Sequence, residues 1–508
     1  MSVMRRKSVE AALQSTHDEE RNLKRSLSAW DLALMGVAVA VGAGIFSVGA
    51  KAAATKAGPA VIVSFIIAAI VCGLAIMCYA EFASTIPVAG SAYTFSYSSM
   101  GELVAWIIGW DLILEMLLAA AVIASYWGVY LSEVIKLLHV DMSTVLLGTP
   151  NGLHLDWAPI FIVAVFTALL VAGTKMSARV SNVFTIIKVG ITIFVIVVGL
   201  FYIKAENYKP FVPPAENVTG AGAQISTMQQ TLFAFVTGQE PSMYGIFGVL
   251  GGAALVFFAF IGFDVVATTA EETKDPQRTL PKGILGGLII VSVLYVLVTL
   301  VVTGMASYKD LAKAESPSLA TAFELVGANW AAGIISVGIL IGLTTVILVL
   351  LLGVTRIVFA LSRDGLLPRW LSKTNEKTKT PARLQIILGV IVALIAGLVP
   401  VGVLEEMINI GTLSAFVLVS FGVPVLRRRR PELHRGFRVP WNPVLPIISG
   451  LVCLWLMMNL TVETWLRFVV WLVIGLAIYF GYGYWHSRLR QHPEESDQGV
   501  TAAERAAS

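Results

Sequence analysis

Charge is scarce in this chain of 508 residues: Asp, Glu, Lys and Arg together make up 13% of it, while 57% is hydrophobic. Soluble domains carry roughly 25% charged residues, so a water-soluble globule is excluded and the chain belongs in a bilayer. Cysteine is almost absent. Cys72, Cys78 and Cys453 all fall inside apolar runs, where they act as small hydrophobes and support no disulfide framework. Histidine numbers only six, and none lies inside an apolar run except His486 at an end. Neither HExxH nor GxSxG occurs, so no catalytic residue, metal ligand or cofactor is assigned and a membrane enzyme is disfavoured. Barrel-type alternation with short turns is also missing, which leaves an all-α bundle.

What the chain has is apolar runs. A hydrocarbon core about 30 Å thick needs around 20 helical residues per crossing. Twelve stretches qualify: 31–54, 59–84, 101–135, 157–176, 180–203, 246–271, 281–306, 330–361, 382–399, 404–426, 442–459 and 463–486. The first follows about thirty polar, basic residues and is too long for a signal h-region, so it is expected to be an uncleaved span. With the N-terminus inside, 26 of the 36 Lys and Arg fall on cytoplasmic segments and 7 on external ones. Both termini are therefore expected in the cytoplasm. The net charge of +4 and the run Arg427–Arg430 read as a topology signal in contact with anionic lipid, not as nucleic-acid binding.

Two of the spans are interrupted. "GVAVAVGAGIFSVGA" holds Gly36, Gly42 and Gly44 within nine residues, and the sixth span holds Gly262 and Asp264 near its middle. Paired breaks five spans apart point to an inverted repeat with a binding site between its halves. Close helix packing through Gly36, Ala40 and Gly44 is the plainer alternative. The expected organisation is an N-terminal segment 1–29, a first repeat 30–203, an external loop 204–245 and a second repeat 246–426. A basic loop 427–441, two extra helices 442–487 and a tail 488–508 follow. The external loop suits a lid or a tether equally.

The chain resembles the amino acid, polyamine and organocation transporter superfamily, in particular its cationic-amino-acid-transporter-like branch. The resemblance runs over nearly the whole chain. It rests on "GAGIF" at Gly42–Phe46, "CYAEFASTIPVAGSAYTFSY" at Cys78–Tyr97, "GWDLILE" at Gly109–Glu115, "FFAFIGFD" at Phe257–Asp264 and "EETKDPQRTLPKGI" at Glu271–Ile284. "ALSRDGLLP" at Ala360–Pro368, "NIGTL" at Asn409–Leu413 and "FRVPWNPVLP" at Phe437–Pro446 complete it. It implies a secondary active amino-acid permease of the plasma membrane, with spans 1 and 6 unwound around the main-chain ends of an α-amino acid. A cationic amino acid or polyamine carrier, or an exchanger, is the alternative within the class; a channel is disfavoured.

On that reading the N–H groups of Ala43, Gly44 and Ile45, after Gly42, open a half-helix whose dipole favours a carboxylate. The carbonyls of Val39 or Ala40, with those of Phe258, Ala259 and Ile261, suit an ammonium. Phe260 matches an aromatic gate over the substrate, or else packs in the core. Leu350 matches a position that limits side-chain size and leaves little room for a long cationic chain.

Ionisable groups inside spans are functional hypotheses. Lys188 lies nine residues past Arg179, roughly 13 Å deep at 1.5 Å per residue. In the resembled family a lysine at this place stands in for a sodium ion and bridges spans 1 and 8. The expected contacts here are carbonyls near Gly36–Val39 and the Thr345 hydroxyl, with a proton as coupling ion; a structural cation or a snorkelling lysine are the other readings. Asp111 and Glu115, one turn apart, could pair with a cation, relay protons or bond neighbouring helices. Asp264 is expected to hold the unwound part of span 6 or to pack between helices. Glu81, Glu271 and Glu272 are expected either to pair with Arg356 or Arg363 in an inner gate or to be solvated at the interface. Nothing in the sequence specifies an accessory subunit.

Overall fold

The computed structural model describes residues 5–6, 27–85, 91–140, 145–148, 154–173, 178–217, 227–239, 242–263, 266, 273–314, 317–375 and 380–492. Asp264, Glu271 and Glu272 lie outside the described residues. Helices dominate, and they occupy the apolar runs: α1 (Ala29–Ala40), α2 (Val61–Thr85), α3 (Glu102–Leu137), α4 (Trp157–Val171), α5 (Ala178–Gly199) and α6 (Gly245–Val256). They continue with α7 (Pro276–Met305), α8 (Asn329–Arg363), α9 (Ala382–Leu398), α10 (Val401–Arg429), α11 (Val444–Met458) and α12 (Val462–Ile478). Among the described residues, seven helical stretches are long and apolar enough to cross a membrane, and five shorter apolar helices accompany them.

Local chemistry sets several starts. Ser28 and Asp31 form a reciprocal capping box at α1, Asp156 accepts from the Ala158 N–H at α4, and the Thr461 hydroxyl accepts from the Thr464 N–H at α12. Each satisfies backbone donors that a helix leaves free at its first turn.

Helix α3 is apolar all round and almost wholly buried, as expected of a central element. It packs against α4, α8, α9 and α10. Helix α5 is one-sided: Val183, Ile186, Ile193 and Val197 are exposed, while Lys188 is 2% exposed and turned into the bundle. Segment 204–245 is tied down at several points. The Tyr244 hydroxyl donates to the Ala54 carbonyl at 2.8 Å, the Tyr208 hydroxyl to Leu300 at 2.7 Å, and the Leu232 N–H to Leu460 at 2.9 Å. The apolar stretch of "TLFAFV" forms a short helix, Leu232–Thr237, beside the α11–α12 turn.

Candidate functional site: a cavity between two helix breaks

The first break lies beside Gly42 and Gly44, whereas Gly36 stays inside α1. Helix α1 stops at Ala40, and Val41 turns to φ −71°, ψ 90°, out of helical geometry. Helical winding resumes as a wide turn, Gly44–Val48, followed by Gly49–Ala52 and Ala53–Ala57. The second break follows α6. Phe257–Phe260 tightens into a 3-10 turn, Ile261 becomes extended, and Gly262 adopts φ 113°, a conformation that favours glycine. The two breaks touch. A Cβ on Gly44 would overlap the Ala259 backbone, and one on Gly262 would overlap the Val39 side chain, so each glycine lets the other broken segment approach. Gly42 is different, because a Cβ there would meet only ordinary contacts at 3.8 Å.

Between the breaks lies a cavity of about 330 Å³ of empty space, its mouth included. Val39, Ala40, Gly42, Ala43 and Gly44 line it from the first break and Phe258 and Ile261 from the second. Ala119 and Ile123 of α3 and Val346 and Leu350 of α8 close the far wall. Every side chain in this lining is apolar, so polar recognition falls to the backbone of the two breaks.

Three expected members stand elsewhere. Ile45 and Ala259 are buried beside the cavity without lining it, and the Ala259 carbonyl accepts from the Tyr295 hydroxyl of α7 at 2.7 Å. Phe260 does not line the cavity; Phe258 does. A 3-10 turn advances about 120° per residue, so positions two apart leave in different directions. The Phe260 ring packs against Phe65 and Tyr295, with centroids 6.3 and 5.2 Å away. Ala119, Ile123 and Val346 were missed by sequence reasoning. Val346 was accessible to it, because it sits one turn before Leu350 on the same face.

Lys188 reaches the back of the first break. Its ammonium donates to the Ala38 carbonyl at 2.6 Å, and its stem crosses Gly342 of α8, where a Cβ would come within 2.9 Å of Lys188 Cγ. The side chain thus lies between α1 and α8, with its ammonium on α1 and its stem against α8. The Thr345 hydroxyl does not take part: it donates to the Gly342 carbonyl of its own helix at 3.0 Å. A hydroxyl inside a helix commonly turns back in this way. Among the described residues Lys188 has no carboxylate partner within ion-pair distance.

Helix α3 carries Asp111, Glu115, Ala119 and Ile123 at four-residue intervals, so two buried carboxyl groups lie one and two turns from the cavity wall on one face. The Ser414 hydroxyl of α10 donates to Asp111 Oδ2, and Asp111 Oδ1 is buried without a hydrogen bond among the described residues.

Glu81 has other partners than those expected. Arg427 binds it in a fork, Nε to Oε1 at 2.7 Å and a terminal nitrogen to Oε2 at 2.5 Å. The Val439 N–H adds 2.7 Å, and Arg435 lies 3.6 Å away. Arg356 and Arg363 are exposed on α8 and make no ion pair among the described residues. The planar guanidinium of Arg427, carried on the last turn of α10, matches both carboxylate oxygens at once, and the loop after α10 adds Val439 and Arg435.

Two further groups were not read from the sequence. At the opposite end of the bundle, Glu405 of α10 is buried and accepts from Lys51 at 2.6 Å and from the Tyr126 hydroxyl of α3. This joins the second half of the first broken helix to α3 and α10. Asn409, within "NIGTL", donates its side-chain amide to the carbonyls of Ala254 and Leu255 at 3.0 and 3.4 Å. It thereby satisfies acceptors that the end of α6 leaves free.

Residues 27–480 match the model of the amino acid permease family. The chain belongs to that family. Its relatives are named permeases and transporters, not enzymes. The branched-chain amino acid permease BcaP of Bacillus subtilis is 42% identical, over 96% of this chain and 99% of that protein. The methylthioribose transporter of the same organism is 41% identical, over 96% of this chain and 100% of that one. The vacuolar cationic amino acid transporter 4 of Arabidopsis thaliana is 35% identical, over 85% of this chain and 68% of its own length. Membership places the chain in a membrane as an amino acid permease.

Proposed function

We propose that the chain is a secondary active permease that takes up α-amino acids with aliphatic side chains, coupled to protons through Lys188. The observation that carries this reading is the cavity itself: apolar in every side chain, and bounded by the backbone of two helix breaks. An α-ammonium and α-carboxylate bind freed backbone carbonyls and N–H groups, and the side chain packs against Ile123, Val346 and Leu350. The B. subtilis branched-chain permease supports the same substrate class. Against a cationic amino acid or a polyamine stands the lining, which offers no carboxylate; Asp111 and Glu115 are a turn or more away along α3. A methylthio-sugar is the second reading, favoured by the other B. subtilis relative, but its hydroxyls would meet no polar side chain in the cavity.

In this account twelve spans form a five-plus-five inverted repeat with two added helices, both termini are cytoplasmic, and the protein resides in the plasma membrane. The Lys51–Glu405–Tyr126 contact closes the outer side and the α3 carboxylates face the inner route, so alternating access proceeds around a fixed central site. Proton release from Lys188 is the coupling step, through its hold on the Ala38 carbonyl.

Thermal unfolding of the purified protein tests the substrate class, because a ligand that binds only the folded state raises stability by mass action. L-leucine, L-isoleucine and L-valine are expected to stabilise it, and L-arginine, putrescine and 5-methylthioribose are not. Stabilisation by arginine or methylthioribose without leucine would overturn the proposal.

A further inference from the structure

Tyr295 of α7 is buried, and its hydroxyl meets one carbonyl from each helix break: Ala40 at 2.5 Å and Ala259 at 2.7 Å. Its ring is held edge-on by Phe65 and Phe260, with centroids 5.7 and 5.2 Å away. A tyrosine that only filled this space could be a phenylalanine, since a buried hydroxyl is costly and needs no more than one acceptor for its single hydrogen. Here one hydrogen faces two acceptors. Ala40 is also the last residue of α1 and lines the cavity. A carbonyl oxygen has two lone pairs, so Ala40 can accept from Tyr295 behind the break and from a ligand in front of it.

We infer that Tyr295 is a positioning residue for the substrate's ammonium: its hydroxyl fixes the Ala40 carbonyl, and ties it to the second break through Ala259, so that the free lone pair faces the cavity. Tyr295 itself touches no substrate. This rests on the amino-acid reading above and extends it to a residue outside the cavity wall. Removing the hydroxyl therefore penalises ligands through their ammonium and spares the contacts made by the side chain and carboxylate.

The test is competition against radiolabelled L-leucine bound to the purified full-length protein, with unlabelled L-leucine and 4-methylpentanoate, which lacks the ammonium. Tyr295→Phe keeps both ring contacts. Leucine should bind roughly three- to tenfold more weakly to it, the equivalent of one buried hydrogen bond, while the inhibition constant of 4-methylpentanoate stays unchanged. The ratio of the two constants thus falls by the same factor. A purely structural role would weaken both ligands alike and keep the ratio, and that result overturns the assignment, as does unchanged leucine binding. If Tyr295→Phe does not fold, 3,5-difluorotyrosine at position 295 decides: a stronger donor on the same ring must shift the ratio, and an unshifted ratio overturns the assignment. Failure of the wild-type protein to bind leucine would defeat the substrate reading first, and the role of Tyr295 with it.

Discussion

Gly42 and Gly44 sit two residues apart in the same break, yet their substitution by alanine should have opposite consequences. At Gly44 the added Cβ would stand 2.6 Å from Ala259 Cβ and 3.1 Å from the Ala259 nitrogen, with the Ala259 Cα closer still. Ordinary carbon contacts are about 3.5–4.0 Å, so the second break would have to retreat by about 1 Å. No rotamer relieves a clash with backbone. Overpacking of this kind costs about 1–3 kcal/mol, and paid out of ligand binding it weakens leucine by roughly 5- to 150-fold. At Gly42 the Cβ would lie 3.8 Å from Ile123 Cδ1 and Val346 Cγ2, so nothing need move. The methyl takes up cavity space instead, and Gly42→Ala should remain as stable as wild type while shifting preference from leucine toward valine. The assay is thermal unfolding of both variants together with a binding isotherm for each of the two amino acids. Wild-type leucine affinity in a folded Gly44→Ala protein would refute the reasoning, and so would a Gly42→Ala protein as damaged as Gly44→Ala.

Leu350→Ala enlarges the apolar wall, and competition profiles should then favour methionine and phenylalanine over valine; an unchanged profile removes Leu350 from the pocket. Lys51→Met leaves the Glu405 carboxylate buried without its cation, at a cost of a few kcal/mol, less than for a fully buried pair because the Lys51 side chain is 30% exposed. The double variant Lys51→Met/Glu405→Gln should recover most of the lost thermal stability, and no recovery would show that the pair does not act as a unit. Glu81→Gln weakens the fork from Arg427 and the bond from Val439, so trypsin should cut the loop 428–438 faster than in wild type, whereas equal rates would mean that Glu81 does not hold this loop.

The broad plan was legible because bilayer physics writes itself into composition. Apolar runs place the helices, and glycines at mid-run place the breaks, since Gly44 lets the first break approach the backbone of the second at Ala259. Depth placed Lys188 inside a span, the family resemblance aimed it at the Gly36–Val39 carbonyls, and its bond to Ala38 falls within that window. Details that depend on winding were not legible. Phe258 and Phe260 look interchangeable in "FFAFIGFD", and only the 3-10 turn sends the first to the cavity and the second to Tyr295. Pairings between distant segments were also hidden: Glu81 with Arg427 and Lys51 with Glu405 are separated by 346 and 354 residues. No periodicity within a helix encodes them. Nothing in the sequence sets Tyr295 apart from the other aromatics of the apolar spans, because its meaning lies in two carbonyls from the two helix breaks.

The central claim, that an aliphatic amino acid bound between the two breaks is driven inward by a proton handled at Lys188, is tested most directly in proteoliposomes. Accumulation of labelled L-leucine is followed with the interior buffered and the exterior pH varied, for wild type, Lys188→Ala and Lys188→Arg, with leucine binding measured on each to confirm a folded site. Wild type should accumulate leucine above equilibrium in proportion to the inward proton gradient. Lys188→Ala should lose that accumulation, and Lys188→Arg should not restore it, because a guanidinium keeps its proton at any accessible pH. Proton-driven accumulation retained in Lys188→Ala, or wild-type uptake indifferent to the gradient, would contradict the account.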